Sequence, residues 1–297
     1  MLSRASRKTI IKAAVSAPVI AGVLLPSPEL SRAVPHGAMT SAVTALSAGL
    51  PAAPARAEAA AEKGPCPAGM SHVSDFCIDT FEAHLIAGGA AHPHNERPAG
   101  GDFAAASEPG VYPQGYISRP EADAACQRSG KRLCRLSEWL EACRGAQNLL
   151  FPYGNRYEPE TCNTGKQHLL SRLYGDIGPS RWKYDEHFNS PALNITPGFL
   201  SRTGGYPGCA SPHGVFDLAG NLHEWVSDNV DSLLEGKIPL IEPIRKKLRQ
   251  NFGHGIFMGG FYSTIHQHGY GCLFITIGHE PAYHDYSTGF RCCADSG

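Results

Sequence analysis

The ten cysteines of this chain, all between Cys66 and Cys293, constrain its fold more than any other sequence feature. So many cysteines indicate either a disulfide framework in an oxidising compartment or a metal site such as zinc. No two of them have the C-x2-C spacing of a zinc ribbon, so disulfides are the favoured interpretation. The sequence therefore predicts an exported, disulfide-rich protein, either secreted or periplasmic.

The N-terminal segment agrees with export. Basic residues precede an apolar run at 10–25, which is short for a bilayer span. A Pro/Ala-rich stretch follows and ends in Ala55-Arg56-Ala57, which has the form of a signal-peptidase site. We interpret residues 1–62 as a signal or targeting segment and linker, and residues 63–297 as one domain. The alternative is an uncleaved N-terminal anchor with a tether, which is the one membrane association that the sequence suggests.

The composition excludes one class of function and limits the regular structure. A net charge of −1 provides no electrostatic field for nucleic acid, so no nucleic-acid partner is expected. The 33 glycines and 23 prolines indicate a loop-rich domain. One helix is predicted between an N-cap at Ser118 and Gly130, and a second between an N-cap at Ser137 and Gly145. Segment 232–256, with its basic cluster, is expected to be a solvated surface insertion.

Four sequence motifs follow in a fixed order. GKRLCRLSEW at 130–139 is followed by CRG at 143–145 with FPYGN at 151–155, by GVFDLAGNLHEW at 214–225, and by MGG at 258–260 with GFRC at 289–292. The series resembles the formylglycine-generating enzymes, or sulfatase-modifying factors, in which the third motif reads GLYDMAGNVWEW. The resemblance covers roughly residues 66–295. It implies the α+β, C-type-lectin-like fold of that family, with little regular secondary structure.

The resemblance also implies calcium at the turn of the third motif, residues 217–224. The ligands carried over by position are two side chains and two main-chain carbonyls: Asp217, Glu224, Gly220 and Leu222. Hard oxygen ligands within a short turn suit this ion. The alternative is an acidic turn that binds its own backbone amides without metal. A second calcium site of the family begins at a pair that matches Asn163-Thr164, and its remaining ligands cannot be aligned.

The family further implies two disulfides. A cysteine in the first helix pairs with the cysteine of the terminal GFRC motif. A cysteine in the second helix pairs with one that lies about twenty residues before that motif. In this chain these pairs are Cys126–Cys292 and Cys143–Cys272. Locality then suggests Cys66–Cys77 and Cys162–Cys209, and exclusion leaves Cys134–Cys293.

The resemblance fails at the catalytic position. Catalytic members place two cysteines shortly after the glycines of the fourth motif, where soft thiolates hold Cu(I). Here those positions carry Thr264 and Gly269, and Cys272 nearby is assigned to a disulfide. Formylglycine generation from a sulfatase cysteine by that route is therefore the least favoured function.

A run of histidines stands near that position instead. Its members are His266, His268, His279 and His284, with Asp285 and Tyr286 beside the last. Imidazoles with a carboxylate suit Cu(II), Fe(II) or zinc, so they could form a replacement metal site, with His266 and His268 as catalytic candidates. The alternative is that the histidines lie in loops and bind backbone carbonyls.

Two functions remain open. The first is an exported binding or accessory module on a calcium-braced scaffold, with an unidentified protein, peptide or small-molecule ligand. The second is a Cu- or Fe-dependent oxidoreductase that uses the histidines in place of the cysteine pair. The sequence contains no G-x-S-x-G elbow and no glycine-rich phosphate loop to favour another chemistry.

Overall fold

The computed structural model describes residues 66–175, 181–236, 238–264 and 270–297. Within these residues, short helices and strands alternate with long loops. The helices are α1 (Arg119–Arg128), α2 (Leu136–Arg144), α3 (Leu169–Tyr174) and α4 (Glu242–Lys247). None of them is long and apolar enough to cross a membrane.

Helix α1 begins where the sequence predicts. Ser118 is the N-cap, and its backbone N–H donates to Glu121 Oε2 at 2.9 Å. This is one half of a capping box, which satisfies a donor at the helix start. The helix ends shortly before Gly130, whose φ of 69° lies in the left-handed region.

Helix α2 begins earlier than predicted, so the assignment of Ser137 as N-cap is wrong. Arg135 is the N-cap, and its backbone N–H donates to Glu138 Oε2 at 2.8 Å. The N–H of Leu136 donates to Asp228 Oδ2 at 2.7 Å. Because these two carboxylates accept from the first backbone N–H groups, the helix starts without a Ser137 cap.

Eleven strands form three small sheets in the described residues. The first sheet has the order β1 (Met70–Val73), β2 (Phe76–Asp79), β11 (Cys292–Asp295), β6 (Arg132–Leu133). The second has the order β10 (Thr288–Phe290), β7 (His223–Asn229), β8 (Gly255–Met258), β9 (Ile275–His279). The third has the order β4 (Ala90–Ala91), β3 (His84–Ala87), β5 (Ala104–Ala106).

The second sheet positions the functional segments. Strand β10 pairs with β7 in parallel, while β8 is antiparallel to both β7 and β9. Strand β7 continues directly from the 217–224 turn, and β8 leads into residues 259–264, where the family's cysteines would begin. The main core packs Trp139 of α2 against Val226 of β7 and Met258 of β8. The turn therefore leads into a well-packed strand, and residues 259–264 follow another.

The 232–256 segment is more than the solvated insertion that the sequence suggests. It contains α4, and the buried side chains of Ile244 and Leu248 belong to the main core. The basic residues stay at the surface, where Lys246 forms an ion pair with Glu242. The apolar face of this segment was missed because its charged residues dominate the sequence.

Five disulfides pair all ten cysteines and leave none free. They are Cys66–Cys77, Cys126–Cys292, Cys134–Cys293, Cys143–Cys272 and Cys162–Cys209, the same pairs that resemblance, locality and exclusion give. The adjacent residues Cys292 and Cys293 of β11 bind α1 and the residue after β6, respectively. Disulfides in this number are typical of proteins in oxidising compartments.

Candidate functional site

A buried ion pair anchors the end of the third motif. Arg291 is fully buried and donates from Nε to Glu224 Oε2 at 2.6 Å and from a terminal nitrogen to Oε1 at 2.7 Å. Trp139 Nε1 also donates to Glu224 Oε2, at 2.6 Å. Glu224, which the resemblance assigns to calcium, is therefore held at both oxygens by protein groups.

Two further carboxylates join this ion pair. Glu82 Oε1 accepts from the N–H of Leu222 at 3.0 Å, and Asp217 Oδ2 accepts from the N–H of Gly204 at 2.7 Å. Burial raises the pKa of Asp217 to about 6, and burial with its acidic neighbours raises the pKa of Glu82 well above its usual value. Glu224, Glu82 and Asp217 all raise the pKa of Arg291, so its guanidinium is the cation that these three buried carboxyl groups share.

The turn also packs against the segment of the second predicted calcium site. The N–H of Asn221 donates to the carbonyl of Asn163 at 3.0 Å, and Asn163 Nδ2 donates back to Asn221 Oδ1 at 2.8 Å. Gly220 has a φ of 86°, and a Cβ there would lie 2.2 Å from the Asn163 carbonyl oxygen. A glycine is therefore required at this contact.

The oxygen donors of these two segments fit calcium in chemistry. Asp217 supplies a buried carboxyl group, whereas both oxygens of Glu224 are already held by Arg291 and Trp139. Asn163 Oδ1 is buried and has no hydrogen-bond partner among the described residues. Hard oxygen ligands are what this ion prefers.

A cavity of about 720 Å³ opens beside the segment where the family's cysteines would stand. Thr264, at the first of those positions, lines it. About half of the lining residues are Trp, Tyr or Phe: Trp182, Tyr184, Phe188, Phe257, Phe261, Phe274, Tyr283 and Tyr286. Concave cavities of this size that combine aromatic side chains with polar groups are typical of small-ligand sites. We refer to it as the aromatic cavity.

Three histidines contribute to the wall of the aromatic cavity. His223, at the start of β7, is almost buried and lies 4.7 Å from Phe257 between ring centroids. His279 stacks on Tyr283 with the centroids 3.9 Å apart. His168 stacks on Trp182 at 5.2 Å with the planes 2° apart. The imidazole faces are thus covered by other rings.

The predicted histidine run is only partly within the described residues. His279 lines the aromatic cavity, whereas His284 is not part of its wall and holds Asn189 Oδ1 at 2.8 Å from Nδ1. His266 and His268 lie outside the described residues. Among all the residues that the structure describes, no group of three or more His, Cys, Asp or Glu side chains is arranged to hold a metal.

Asp285 serves the wall of the cavity as a structural acceptor. Its Oδ1 accepts from the N–H and hydroxyl of Ser287 at 2.8 and 2.7 Å, and its Oδ2 accepts from Tyr283 at 2.6 Å. Burial raises the pKa of Asp285 despite these bonds. The carboxylate is occupied with holding the 283–287 loop in place.

Sequence reasoning missed His168, Trp182 and His223. His168 and Trp182 lie in loops without a motif, so nothing in the sequence marks them. His223 could have been found, since it replaces the tryptophan of the GLYDMAGNVWEW motif and lies inside the best-matched segment.

The family follows from a domain match. The sulfatase-modifying factor enzyme 1-like domain matches residues 45–296 of the chain. The chain belongs to this family. With it come the α+β class and the C-type-lectin-like fold, in agreement with the mixed short helices and strands.

Curated relatives match only part of the chain. It is 30% identical over 118 residues to the formylglycine-generating enzyme of Mus musculus, which is 39% of this chain and 27% of that protein. It is 27% identical over 117 residues to the inactive C-alpha-formylglycine-generating enzyme 2 of Bos taurus, which is 39% of this chain and 33% of that protein. The match thus spans about a third or less of these relatives.

Solved structures resemble the chain more distantly. PvdO from Pseudomonas aeruginosa has a TM-score of 0.44 at 15% identity and covers 74% of this chain and 80% of its own. The Major Tropism Determinant I1 variant has a TM-score of 0.40 at 16% identity and covers 77% of this chain and 53% of its own.

Proposed function

We propose that this chain is a non-catalytic, ligand-binding member of the family, and that its ligand enters the aromatic cavity. The observation that carries this proposal is that all ten cysteines are in disulfides. No thiol is left to hold Cu(I) or to attack a substrate, while a cavity persists next to Thr264. A relative named as inactive supports the same conclusion.

The test of the non-catalytic half is a conversion assay. The full chain, purified with its disulfides intact, is incubated with Cu(I), oxygen and a peptide that carries a sulfatase-type cysteine. We expect the mass of the peptide to stay unchanged. Conversion of the cysteine to an aldehyde would refute a non-catalytic role.

The binding half is tested by blocking the cavity. Ser263 lines the aromatic cavity, so Ser263→Trp should obstruct it, whereas Gln250→Trp adds the same side chain at an exposed position. In a thermal-shift screen of aromatic fragments, we expect hits that stabilise the wild type and Gln250→Trp and are lost in Ser263→Trp. Hits that are equally effective on all three proteins would place the ligand elsewhere.

The scaffold is proposed to bind calcium at the 217–224 turn and to function after export. Calcium would stabilise the ionised form of the buried Asp217 carboxyl group, whose pKa burial raises to about 6. We expect the melting temperature to rise with calcium and fall with a chelator. Asp217→Asn, which keeps the shape of the side chain, should lose this response, whereas Asp185→Asn at an exposed position should retain it. A wild type without a calcium response would refute this part of the proposal.

The alternative of a Cu- or Fe-dependent oxidoreductase is supported by one observation. His279 and His223 both line the cavity at the family's catalytic position. Metal analysis of the purified full chain separates the two functions. Near-stoichiometric copper or iron that is lost in a His266→Ala/His268→Ala variant would favour the oxidoreductase, and its absence favours the binding module.

A further inference from the structure

The lysine and the carboxylate in the described wall of the aromatic cavity are both held by the protein itself. Lys166 Nζ donates to the carbonyl oxygen of Phe199 at 2.7 Å, and Phe199 is not part of the wall. Asp285 is buried and accepts from the hydroxyl groups of Tyr283 and Ser287. A charged ligand in the cavity would therefore lose its hydration without gaining an ionic partner, which is strongly unfavourable.

The two ring nitrogens of the wall that lack a partner do not change this conclusion. Trp182 Nε1 and His168 Nδ1 form no hydrogen bond with the described residues, but protein atoms cover both of them almost completely. The two rings stack with their planes 2° apart. A ligand can therefore touch these residues only through their ring surfaces.

Most hydroxyl groups of the wall are also bonded within the protein. Ser263 donates to the carbonyl oxygen of Gln167 at 3.0 Å, and Thr264 Oγ1 accepts from the N–H of Phe261 at 2.7 Å. The other bonded hydroxyl groups are those of Tyr184, Tyr283, Tyr286 and Ser287. These groups do not need a ligand to satisfy them.

Thr276 of β9 is the exception among the hydroxyl groups of the described wall. It lines the cavity, and its Oγ1 forms no hydrogen bond with any described residue. Its oxygen is also not among the polar atoms that are both covered and unpaired, so a ligand can reach it. A hydroxyl group donates and accepts one hydrogen bond each without a charge. Thr276 can therefore orient a neutral ligand.

We propose that the aromatic cavity binds a small uncharged aromatic molecule, with its rings among the aromatic side chains and one hydroxyl or carbonyl group on Thr276 Oγ1. This deepens the proposed function and rests on it. The cavity of about 720 Å³ has the size of a small-molecule site and is larger than one amino-acid side chain fills. A free molecule is therefore favoured over an aromatic side chain of a partner protein.

The first test uses four probes that differ only in their head group: biphenyl-4-methanol, 4-methylbiphenyl, biphenyl-4-carboxylate and biphenyl-4-methylammonium. The full chain with its disulfides intact is titrated with each probe, and tryptophan fluorescence reports binding because Trp182 lines the cavity. We expect biphenyl-4-methanol to bind most tightly and both ions to bind at least about tenfold more weakly. An ion that binds as tightly as the alcohol would overturn this inference while leaving the binding function intact.

A variant of Thr276 tests the hydrogen bond. Thr276→Val keeps the shape of the side chain and removes its hydroxyl group, so it should weaken biphenyl-4-methanol about fivefold and leave 4-methylbiphenyl unchanged. Thr161→Val, at a half-buried position that does not line the cavity, is the matched control and should bind like the wild type. Equal weakening of both neutral probes by Thr276→Val would indicate lost packing and overturn the role of the hydroxyl group.

A lysine variant and a peptide-like probe complete the experiment. Lys166→Gln should leave the affinity for biphenyl-4-carboxylate unchanged, because Lys166 Nζ is directed at Phe199. A selective loss of carboxylate binding would show that Lys166 reaches the ligand and would overturn the inference. N-acetyltyrosinamide stands for a protein side chain, and tighter binding of it than of biphenyl-4-methanol would overturn the assignment to a free molecule. If no probe binds, or Ser263→Trp binds biphenyl-4-methanol as well as the wild type, the proposed function itself fails.

Discussion

At the scale of single residues, Arg291 stands out because its buried guanidinium donates four hydrogen bonds. It donates to both oxygens of Glu224 and to the carbonyls of Asp79 and Phe216, and it is fully buried. A buried charge pair adds little net stability as a pair, but removal of one partner leaves the other charge without compensation. Arg291 therefore offsets the free-energy cost of burying the carboxylate of Glu224.

Replacement of Arg291 by Met should lower the free energy of unfolding by about 3–5 kcal/mol, since Glu224 would remain buried without its cation. Urea denaturation of the oxidised protein measures the change. Arg245→Met is the matched control, because Arg245 is exposed in α4, and it should cost less than about 0.5 kcal/mol. A loss below about 1 kcal/mol for Arg291→Met would show that water or other groups take over its role.

Some features of single residues, such as helix caps formed by local contacts, can be predicted from the sequence, and others cannot. Ser118 and Gly130 bound a helix through local chemistry, and the structure confirms both. The prediction of Ser137 as the N-cap of α2 was wrong because one acceptor for the first N–H groups comes from Asp228, which is remote in sequence. His168 and Trp182 meet only through folding of two loops, so no local pattern could place them in one wall.

At the scale of elements, the 217–224 turn packs closely against the backbone of Asn163. Gly220 and Gly214 both have left-handed φ, at 86° and 71°, but only Gly220 packs tightly. A Cβ at Gly214 would meet nothing within 4 Å, whereas one at Gly220 would lie 2.2 Å from the Asn163 carbonyl oxygen. A side chain at Gly214 would therefore cause backbone strain alone, whereas one at Gly220 would cause the same strain and a steric clash as well.

Gly214→Ala should cost about 1–2 kcal/mol of unfolding free energy, which is the strain of a left-handed alanine. Gly220→Ala should cost clearly more, about 3 kcal/mol or above, because the clash with backbone adds to the same strain. Parallel denaturant titrations of the two variants give the difference directly. Equal losses would mean that the Asn163 segment moves away freely, so that its close packing against Gly220 does not contribute to stability.

The positions and pairings of the strands could not be predicted from the sequence. The family resemblance supplies the fold class, but strands such as β6 and β4 have two residues each and carry no periodicity. The parallel pair of β7 with β10 aligns Glu224 with Gly289, far apart in sequence. Such pairings follow from the packed core and the disulfides rather than from any local pattern.

For the whole molecule, the disulfides at Cys292 and Cys293 act as a linked pair. Each closes a long loop alone, with sequence separations of 166 and 159 residues. With the other bridge intact, each one closes a ring of only about ten residues through 126–134 and the 292–293 step. In the chain-entropy model, removal of one bridge therefore costs about 3 kcal/mol while the other is intact, and more once the other is also lost.

This linkage predicts a non-additive loss of stability. Removing Cys126–Cys292 and Cys134–Cys293 together, with Ala at all four positions, should cost about 1 kcal/mol more than the sum of the two single-bridge losses. The added cost stays modest because Cys143–Cys272 still limits the loop. Combining Cys126–Cys292 with the distant Cys66–Cys77 serves as the control, and those losses should add within about 0.5 kcal/mol. Additivity in both cycles would mean that the bridges act through native-state contacts rather than through the unfolded chain.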